Sequence, residues 1–436
     1  MTAQVPITVG TSASLPASPA RTRRAIVATT IGNILEWFEL SVYGFLASII
    51  APVFFPTSSQ RLSITITLLT FGVTYLARPV GAVVLGAISD RAGRKQSLTL
   101  SIVLMMVGSS LIAFVPSYAS IGILAPVLVL AGRLVQGFSA GGEFGSATAY
   151  LVEHDQRRRG FMGSWQFATQ GISIVLAAGC AVALTTLLTP GQAQDWGWRI
   201  PFVLGILIGP VGFYIRRTMT ESPEFTSARD DNQLETTNTT VVILRHHKLA
   251  LATAVGAVAM STSVNYLITY MPTFAISELG LPKATSFLAA AFAGVVLFCV
   301  CPLSGRLSDR LGQAPVMVVT TIVTAIVIIP VFLVVTSWPT ALTFGAVVMV
   351  MALLKASYAG PLPAFLALCF PVSTRATGLA LSYNLGVTLF GGFAPAISSL
   401  LIAWTGVKAA PAFYIVALAL MTLLIMGTSG RRVTQR

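Results

Sequence analysis

Two glutamates stand three residues apart in the apolar stretch Gly32-Asn33-Ile34-Leu35-Glu36-Trp37-Phe38-Glu39-Leu40-Ser41-Val42-Tyr43. Asn33, Glu36, Glu39 and Tyr43 recur every three or four residues, which places them on one face of a helix. Two ionised carboxylates on one face of an apolar segment repel each other, so the pair favours holding a proton. A proton carrier needs that property. The plainer alternative is that both glutamates only pair with Arg78 and Arg133, which also lie in apolar runs, as does Lys355. Arg133 stands deep in its run, where a lone charge is expensive in a membrane and calls for a carboxylate or an anionic ligand. A guanidinium meets a carboxylate with two hydrogen bonds, whereas Lys355 offers a less directional charge. The chemistry on offer is proton-linked binding of an organic anion.

The elements that hold these residues must lie in a bilayer. Of 436 residues, 55% are hydrophobic and 9% charged, with mean hydropathy +0.82, whereas about a quarter of a soluble protein is charged. A soluble enzyme is excluded. At about 20 apolar residues per crossing, the length accommodates about twelve membrane helices and little else. The net charge of +13 resides in short basic clusters between apolar runs rather than on one continuous surface. These are topology signals and contacts to anionic lipid, not a nucleic-acid site. Cys180, Cys299, Cys301 and Cys369 lie in apolar runs and give neither a disulfide framework nor zinc spacing. His154, His246 and His247 flank basic segments, so proton chemistry falls to carboxylates, and no metal or cofactor is expected beyond the proton as coupling ion.

Residues 1–24 read as a flexible tail, 25–218 as a first six-helix bundle, 219–247 as a linker, 248–428 as a second bundle and 429–436 as a short tail. The apolar stretch after Arg24 is too long for a signal-peptide core and carries Glu36 and Glu39, so it reads as an uncleaved first span. Later spans are expected at about 62–88, 97–115, 120–150, 160–188, 198–217, 248–276, 285–307, 315–336, 340–369, 375–403 and 408–428. With both termini cytoplasmic, only Arg61, Arg199, Lys283 and Lys408 among the loop cations face outward, as the positive-inside rule requires. Gly86-Ala-Ile-Ser-Asp90-Arg91-Ala-Gly93-Arg94-Lys95 recurs about half a chain later as Gly305-Arg-Leu-Ser-Asp309-Arg310-Leu-Gly312-Gln313-Ala314. Gly142 with Gly360, and Gly160 with Gly378, repeat in near-identical register. The fold class is therefore all-α, two parallel six-helix repeats, with the ligand site at their interface near the midplane.

The first repeated loop resembles the signature loop of the major facilitator superfamily. The resemblance implies the major facilitator fold and a cytoplasmic gate that includes Gly86, Asp90, Arg91, Gly93 and Arg94, with Gly305, Asp309 and Arg310 in the second copy. Arg78, about ten residues before the loop, is expected to support that gate. In the second copy Gln313 and Ala314 replace the basic pair, so that half of the gate is less charged. Arg133-Leu134-Val135-Gln136-Gly137 resembles the superfamily's second motif, whose arginine is associated with proton coupling. Gly137, Gly141 and Gly145 follow at four-residue spacing as a face for tight helix packing.

Asn33-x-x-Glu36-Trp37-Phe38 with Tyr43-Gly44, Arg78-Pro79-x-Gly81, Gly141-Gly142-Glu143, Trp196-Gly197-Trp198-Arg199-x-Pro201-Phe202 and Phe390-Gly391-Gly392 with Pro395 are similar to the metabolite:proton symporter family, over almost the whole chain. Within it, Gly132 to Gly141, Asp195 to Phe202 and Phe390 to Pro395 most resemble the citrate and tricarballylate symporters. The resemblance implies proton-coupled uptake of a carboxylate, citrate or a related tricarboxylate first, across a bacterial-type inner membrane by a monomer. Another metabolite (a dicarboxylate, a 2-oxoacid, a shikimate-like acid or a zwitterionic osmolyte) is the alternative. Glu36, Glu39, Arg133 and Glu143 are the expected proton-coupling residues. Arg133, Gln166, Asn265, Tyr266, Lys355 and Tyr358 are the expected substrate contacts. The chain departs from the family at Glu39, usually Asp, at Trp37, where citrate-type members tend to have Gln, and at Lys355, in a normally uncharged stretch. A drug exporter would carry a Gly-Pro motif in the fifth span, and residues 160–188 contain no proline. A channel or receptor would not need the repeated gate loops.

This topology makes a checkable prediction. Cysteines introduced beside Arg94 or Arg310 should resist an impermeant thiol reagent applied outside sealed cells, and outside labelling at either position would contradict it.

Overall fold

The computed structural model describes residues 33–34, 36–92, 94–218, 239–371 and 374–430. Every regular element among them is helical, as a bilayer requires, because no water is present there to satisfy the backbone. Nine helices are long and apolar enough to cross a membrane, and the pair Glu36–Phe45 and Ala47–Phe54 makes a tenth. In order the second to fifth spans are Gln60–Ala92, Arg94–Phe114, Leu124–Glu153 and Arg159–Leu187. The sixth to ninth are Arg199–Thr218, Lys248–Ser277, Lys283–Leu311 and Gln313–Ser337. Ala341–Leu368, Arg375–Thr405 and Ala410–Thr428 complete the set. A helix therefore occupies each of the twelve expected positions.

Three features differ from the sequence reading. The first span is bent by 71° between Phe45 and Ala47. Gly44, where an added Cβ would lie 2.6 Å from Thr269 Cγ2 of the seventh span, and Pro52, which has no N–H to donate, bracket the bend. The fourth and tenth spans are each broken, at Gly141-Gly142 and at Gly360-Pro361, and Gly142 and Gly360 are partners in the internal repeat. Part of the 219–247 linker is a helix, Thr239–His246, held by the fully buried Ile243. Residues 1–32, 219–238 and 431–436, which include both tails and most of the linker, lie outside the described residues.

Small residues set the packing. A Cβ on Gly137 would come 1.8 Å from the carbonyl oxygen of Thr74, and one on Gly141 2.1 Å from that of Arg78, so the second and fourth spans meet backbone to backbone. This contact fixes where Arg78 and Arg133 emerge. Gly160 and Gly305 form the equivalent close approach between the fifth and eighth spans, each 2.5 Å from the other's carbonyl oxygen by the same measure. The seventh span has 83% of its apolar window buried and the ninth 33%, so the seventh lines the interior and the ninth faces lipid.

The two halves touch at both ends. At the end that carries the repeated loops, the Asp309 carboxylate accepts from the backbone N–H of Gly160 at 2.7 Å and of Phe161 at 3.0 Å. It caps the fifth helix from across the interface, satisfying two of the N–H groups that a helix start leaves free. Arg375 bonds Glu153 at 2.7 Å, and Asn384 Nδ2 donates to the Gly141 carbonyl at 2.8 Å. At the opposite end Arg61 pairs with Glu278 at 2.9 Å, and Thr65 bonds Ser399 at 2.8 Å. Among the described residues, polar contacts thus join the two halves at both ends.

The Arg61 side chain is 50% exposed, so its ion pair contributes at most about 1 kcal/mol, roughly a fivefold population shift. Arg61→Ala should therefore speed thiol labelling of Ser399→Cys by up to about fivefold in a background without native cysteines. An unchanged rate would show that the pair does not hold that end shut.

A candidate site for an anion and a proton

Glu36 and Glu39 share a helix but not a site. Glu36 Oε1 accepts from Arg78 Nη2 at 3.1 Å, and the Arg78 guanidinium carbon lies 5.4 Å from the Trp37 ring centre and 4.9 Å from that of Tyr75. Arg78 is 1% exposed. The expectation that it supports the gate loop needs correcting, since its guanidinium reaches into the middle of the molecule. Helical Cα–Cβ bonds tilt towards the helix N-terminus, and the second span begins at Gln60, at the end away from the loop. A long side chain at position 78 thus leans back towards the midplane.

Glu39 faces the interior of the N-terminal half. Its Oε2 accepts from Ser109 Oγ at 2.7 Å and from Gln136 Nε2 at 3.3 Å. Gln136 Nε2 also donates to Ser109 Oγ at 2.9 Å, and Gln136 Oε1 accepts from Arg133 Nη1 at 2.7 Å. Arg133, expected as a direct partner of the glutamates, is thus joined to Glu39 through an amide. The sixth span yields to the carboxylate at Gly205, where an added Cβ would lie 1.3 Å from Glu39 Oε1.

Arg133 is fully buried, and its Nε and Nη2 make no hydrogen bond within the protein. These two nitrogens form one edge of the guanidinium, the edge that takes both oxygens of a carboxylate. The Tyr43 ring centre lies 4.4 Å and that of Phe71 5.5 Å from its central carbon, which partly compensates the charge. Phe71 in turn lines a central cavity of about 10 Å³, together with Trp37, Ser41, Tyr75, Gln170, Asn265, Tyr266 and Thr269. That volume holds about one water. Asn265 Oδ1 and Gln170 Nε2 make no hydrogen bond within the protein.

Of the expected substrate contacts, Asn265 and Tyr266 line this cavity and Arg133 adjoins it through Phe71. Gln166, Lys355 and Tyr358 do not line it. Gln166 exchanges hydrogen bonds with Asn33, Nε2 to Oδ1 at 3.1 Å and Asn33 Nδ2 to the Gln166 carbonyl at 2.9 Å. Lys355 Nζ donates to the Ser261 carbonyl at 3.0 Å and hydroxyl at 2.7 Å, 4.7 Å from the Phe167 ring centre. Among the described residues no carboxylate pairs with Lys355. Tyr358 donates to the Ala257 carbonyl at 2.7 Å. Glu143 is half-buried and opens the helix Glu143–His154.

Of the loop residues, Gly305 packs against Gly160, Asp309 caps the fifth helix and Arg310 is exposed at the end of the eighth. Gly93, and the side chains of Asp90, Arg91 and Arg94 and the surroundings of Gly86, lie outside the described residues. The sequence reading assigned no role to Ser109, Gln136 or Gly205. Gln136, one helical turn after Arg133 in a quoted motif, carried a usable signal, whereas Ser109 and Gly205 look like any small residue in an apolar helix.

A helical membrane molecule with two halves closing over two buried guanidiniums and two buried carboxylates belongs to the class of solute carriers. The profile of the Major Facilitator Superfamily matches residues 37–354. The chain is 39% identical to a citrate-proton symporter of Klebsiella pneumoniae, covering 92% of this chain and 90% of that one. It is 33% identical to a proline/betaine transporter of Escherichia coli, covering 92% and 82%. Its fold matches the proton:xylose symporter XylE with a TM-score of 0.78 at 15% identity, over 95% of this chain and 96% of that one. The chain belongs to the major facilitator superfamily and, within it, to the metabolite:proton symporter family that its motifs resemble.

Gly205→Ala should displace the Glu39 carboxylate at a cost of about 1–3 kcal/mol. Thermal unfolding in detergent should show the loss, and Gly205→Ala combined with the shorter Glu39→Asp should recover part of it. Wild-type stability in the single variant would mean that the sixth span does not confine Glu39.

Proposed function

We propose that the protein takes up an organic carboxylate, citrate or a related tricarboxylate, together with protons by alternating access. The observation that carries this reading is the open Nε/Nη2 edge of the buried Arg133. Charge balance supports it. Among the described residues the buried charged side chains are Arg78, Arg133 and Lys355 against Glu36 and Glu39, an excess of positive charge that an anion can neutralise. Protonation of the glutamates raises that excess towards the charge of a tricarboxylate. The citrate-proton symporters of Klebsiella pneumoniae and Salmonella typhi, 39% and 38% identical, point the same way.

In this reading Arg133 holds the carboxylate, with Asn265 and Tyr266 as polar contacts in the cavity. Gln166, Lys355 and Tyr358 reach it once the halves part. Glu39 carries the coupling proton, and Glu36, paired with Arg78, responds to it. Glu143 is the further acidic candidate. The repeated loops form the cytoplasmic gate, with Asp309 its described half, and both termini are cytoplasmic in a bacterial-type inner membrane. The carrier works as a monomer in the bilayer with no cofactor.

A zwitterionic osmolyte is the second reading. The cavity is rich in aromatic rings, with Trp37 stacked on Tyr266 at 6.2 Å and Tyr75 edge-on to it at 4.9 Å, and such rings attract quaternary ammonium groups. Here Arg78 already lies against Trp37 and Tyr75, so an incoming cation meets a positive charge. The carboxylate reading is favoured.

Proteoliposomes with an imposed pH gradient, inside alkaline, should accumulate labelled citrate in preference to acetate and glycine betaine. Accumulation of glycine betaine without citrate would overturn the proposal. Glu39→Gln should keep citrate counterflow and lose uphill accumulation. Arg133→Lys should raise the citrate KM about ten- to a hundredfold, the worth of a lost charged hydrogen bond. Lys355→Ala should weaken citrate more than monocarboxylates.

A further inference from the structure

Among the described residues Gln136 joins Glu39 to Arg133 by hydrogen bonds, and it lies one helical turn from Arg133 on the same face of the fourth span. Its amide is used at both ends: Oε1 accepts from Arg133, and Nε2 donates to Ser109 and Glu39. The other groups that face Glu39 are Ser109 from the third span, the charge of Arg133 from the fourth and the backbone of Gly205 from the sixth. Glu36 is engaged by Arg78. We propose that Gln136 is a positioning residue that transmits the protonation state of Glu39 to Arg133, so that proton and carboxylate bind together; the proposal rests on the symport reading above.

The physical basis is the polarity of an amide. With Glu39 ionised, Oε2 accepts two donors and the amide keeps its donor end towards the carboxylate. Its acceptor end then holds Arg133 at Nη1. When Oε2 takes up a proton it becomes a donor, and two acceptors lie within reach, Ser109 Oγ at 2.7 Å and, once the amide turns, the Gln136 oxygen; the relay takes the second. The two amide orientations fill the same volume, so the exchange is decided by hydrogen bonding alone. Turning Oε1 to Glu39 brings Nε2 against the guanidinium, and two donors do not bond. Arg133 loses its protein acceptor, which frees Nη1 as a further donor beside the open Nε/Nη2 edge for the substrate carboxylate. A proton on Glu39 thereby raises substrate affinity, and by linkage bound substrate raises proton affinity by the same factor.

The test is equilibrium binding of labelled citrate to purified protein at pH 5.5 and pH 8. Glu39→Gln supplies the baseline, because its ratio between the two pH values reports the titration of citrate and of every protein group other than Glu39. Wild type should exceed that baseline by at least about fivefold, within the usual range of coupling between sites. Gln136→Leu, which fills similar space and bonds neither partner, should fall to within about twofold of it. Gln136→Glu, isosteric and an acceptor at both oxygens, should pin Arg133 and bind citrate weakly at both pH values, and it serves as the folded variant should Gln136→Leu unfold. A wild-type excess kept in full by Gln136→Leu, or tight citrate binding by Gln136→Glu, would overturn the relay while leaving the symport reading standing. Wild type that binds no citrate, or shows no excess over Glu39→Gln, would overturn the symport reading and the relay with it.

Discussion

A guanidinium at the centre of a membrane protein is the constraint on which the rest of this molecule turns. Arg133 has no exposed surface and bonds the protein through one nitrogen, to Gln136. Moving such a charge into a low-dielectric interior costs several kcal/mol unless other groups compensate. The Tyr43 and Phe71 rings, the Gln136 carbonyl and the nearby Glu39 carboxylate supply that compensation only in part. The edge they leave open is where an anion gains most. In the proposed reading the charge on Glu39 depends on what Arg133 holds, which links binding to protonation.

The architecture serves that centre. Glycines on the second and fourth spans bring the two backbones together at Gly137 and Gly141, which sets the positions of Arg78 and Arg133 in the N-terminal half. The second repeat supplies the facing wall, with Asn265 and Tyr266 on the heavily buried seventh span. Closure at the two ends uses different chemistry. Asp309 caps a helix start across the interface at one end, whereas an exposed arginine, Arg61, pairs with Glu278 at the other. A carrier must open each end in turn, and a substrate can drive that only by as much as it binds one state better than the other.

Much of this was legible in the sequence because membranes restrict the options. Apolar length locates the spans to within a few residues, and the repeated glycine-aspartate loops imply two halves. Charges in apolar runs are costly, so Glu36, Glu39, Arg78, Arg133 and Lys355 stood out as candidates by type alone, and all five are buried. Their pairing did not stand out. Glu36 and Glu39 look like one site on a helical wheel, yet they diverge to Arg78 and to Ser109 with Gln136, because partners on neighbouring helices are fixed by packing that no single-span pattern contains. Lys355 and Tyr358, expected in the cavity, bond seventh-span groups beside it. Ser109 and Gly205 gave no signal, since a serine or glycine in an apolar helix is most often a packing residue.

The central claim is that one carboxylate substrate and protons move together, and the most direct measurement follows both fluxes at once. Citrate added to proteoliposomes in weak buffer, with no imposed gradient, should make the external medium more alkaline as it enters, with the alkalinisation absent for Glu39→Gln. Citrate entry without any proton movement, or alkalinisation undiminished in Glu39→Gln, would contradict the account.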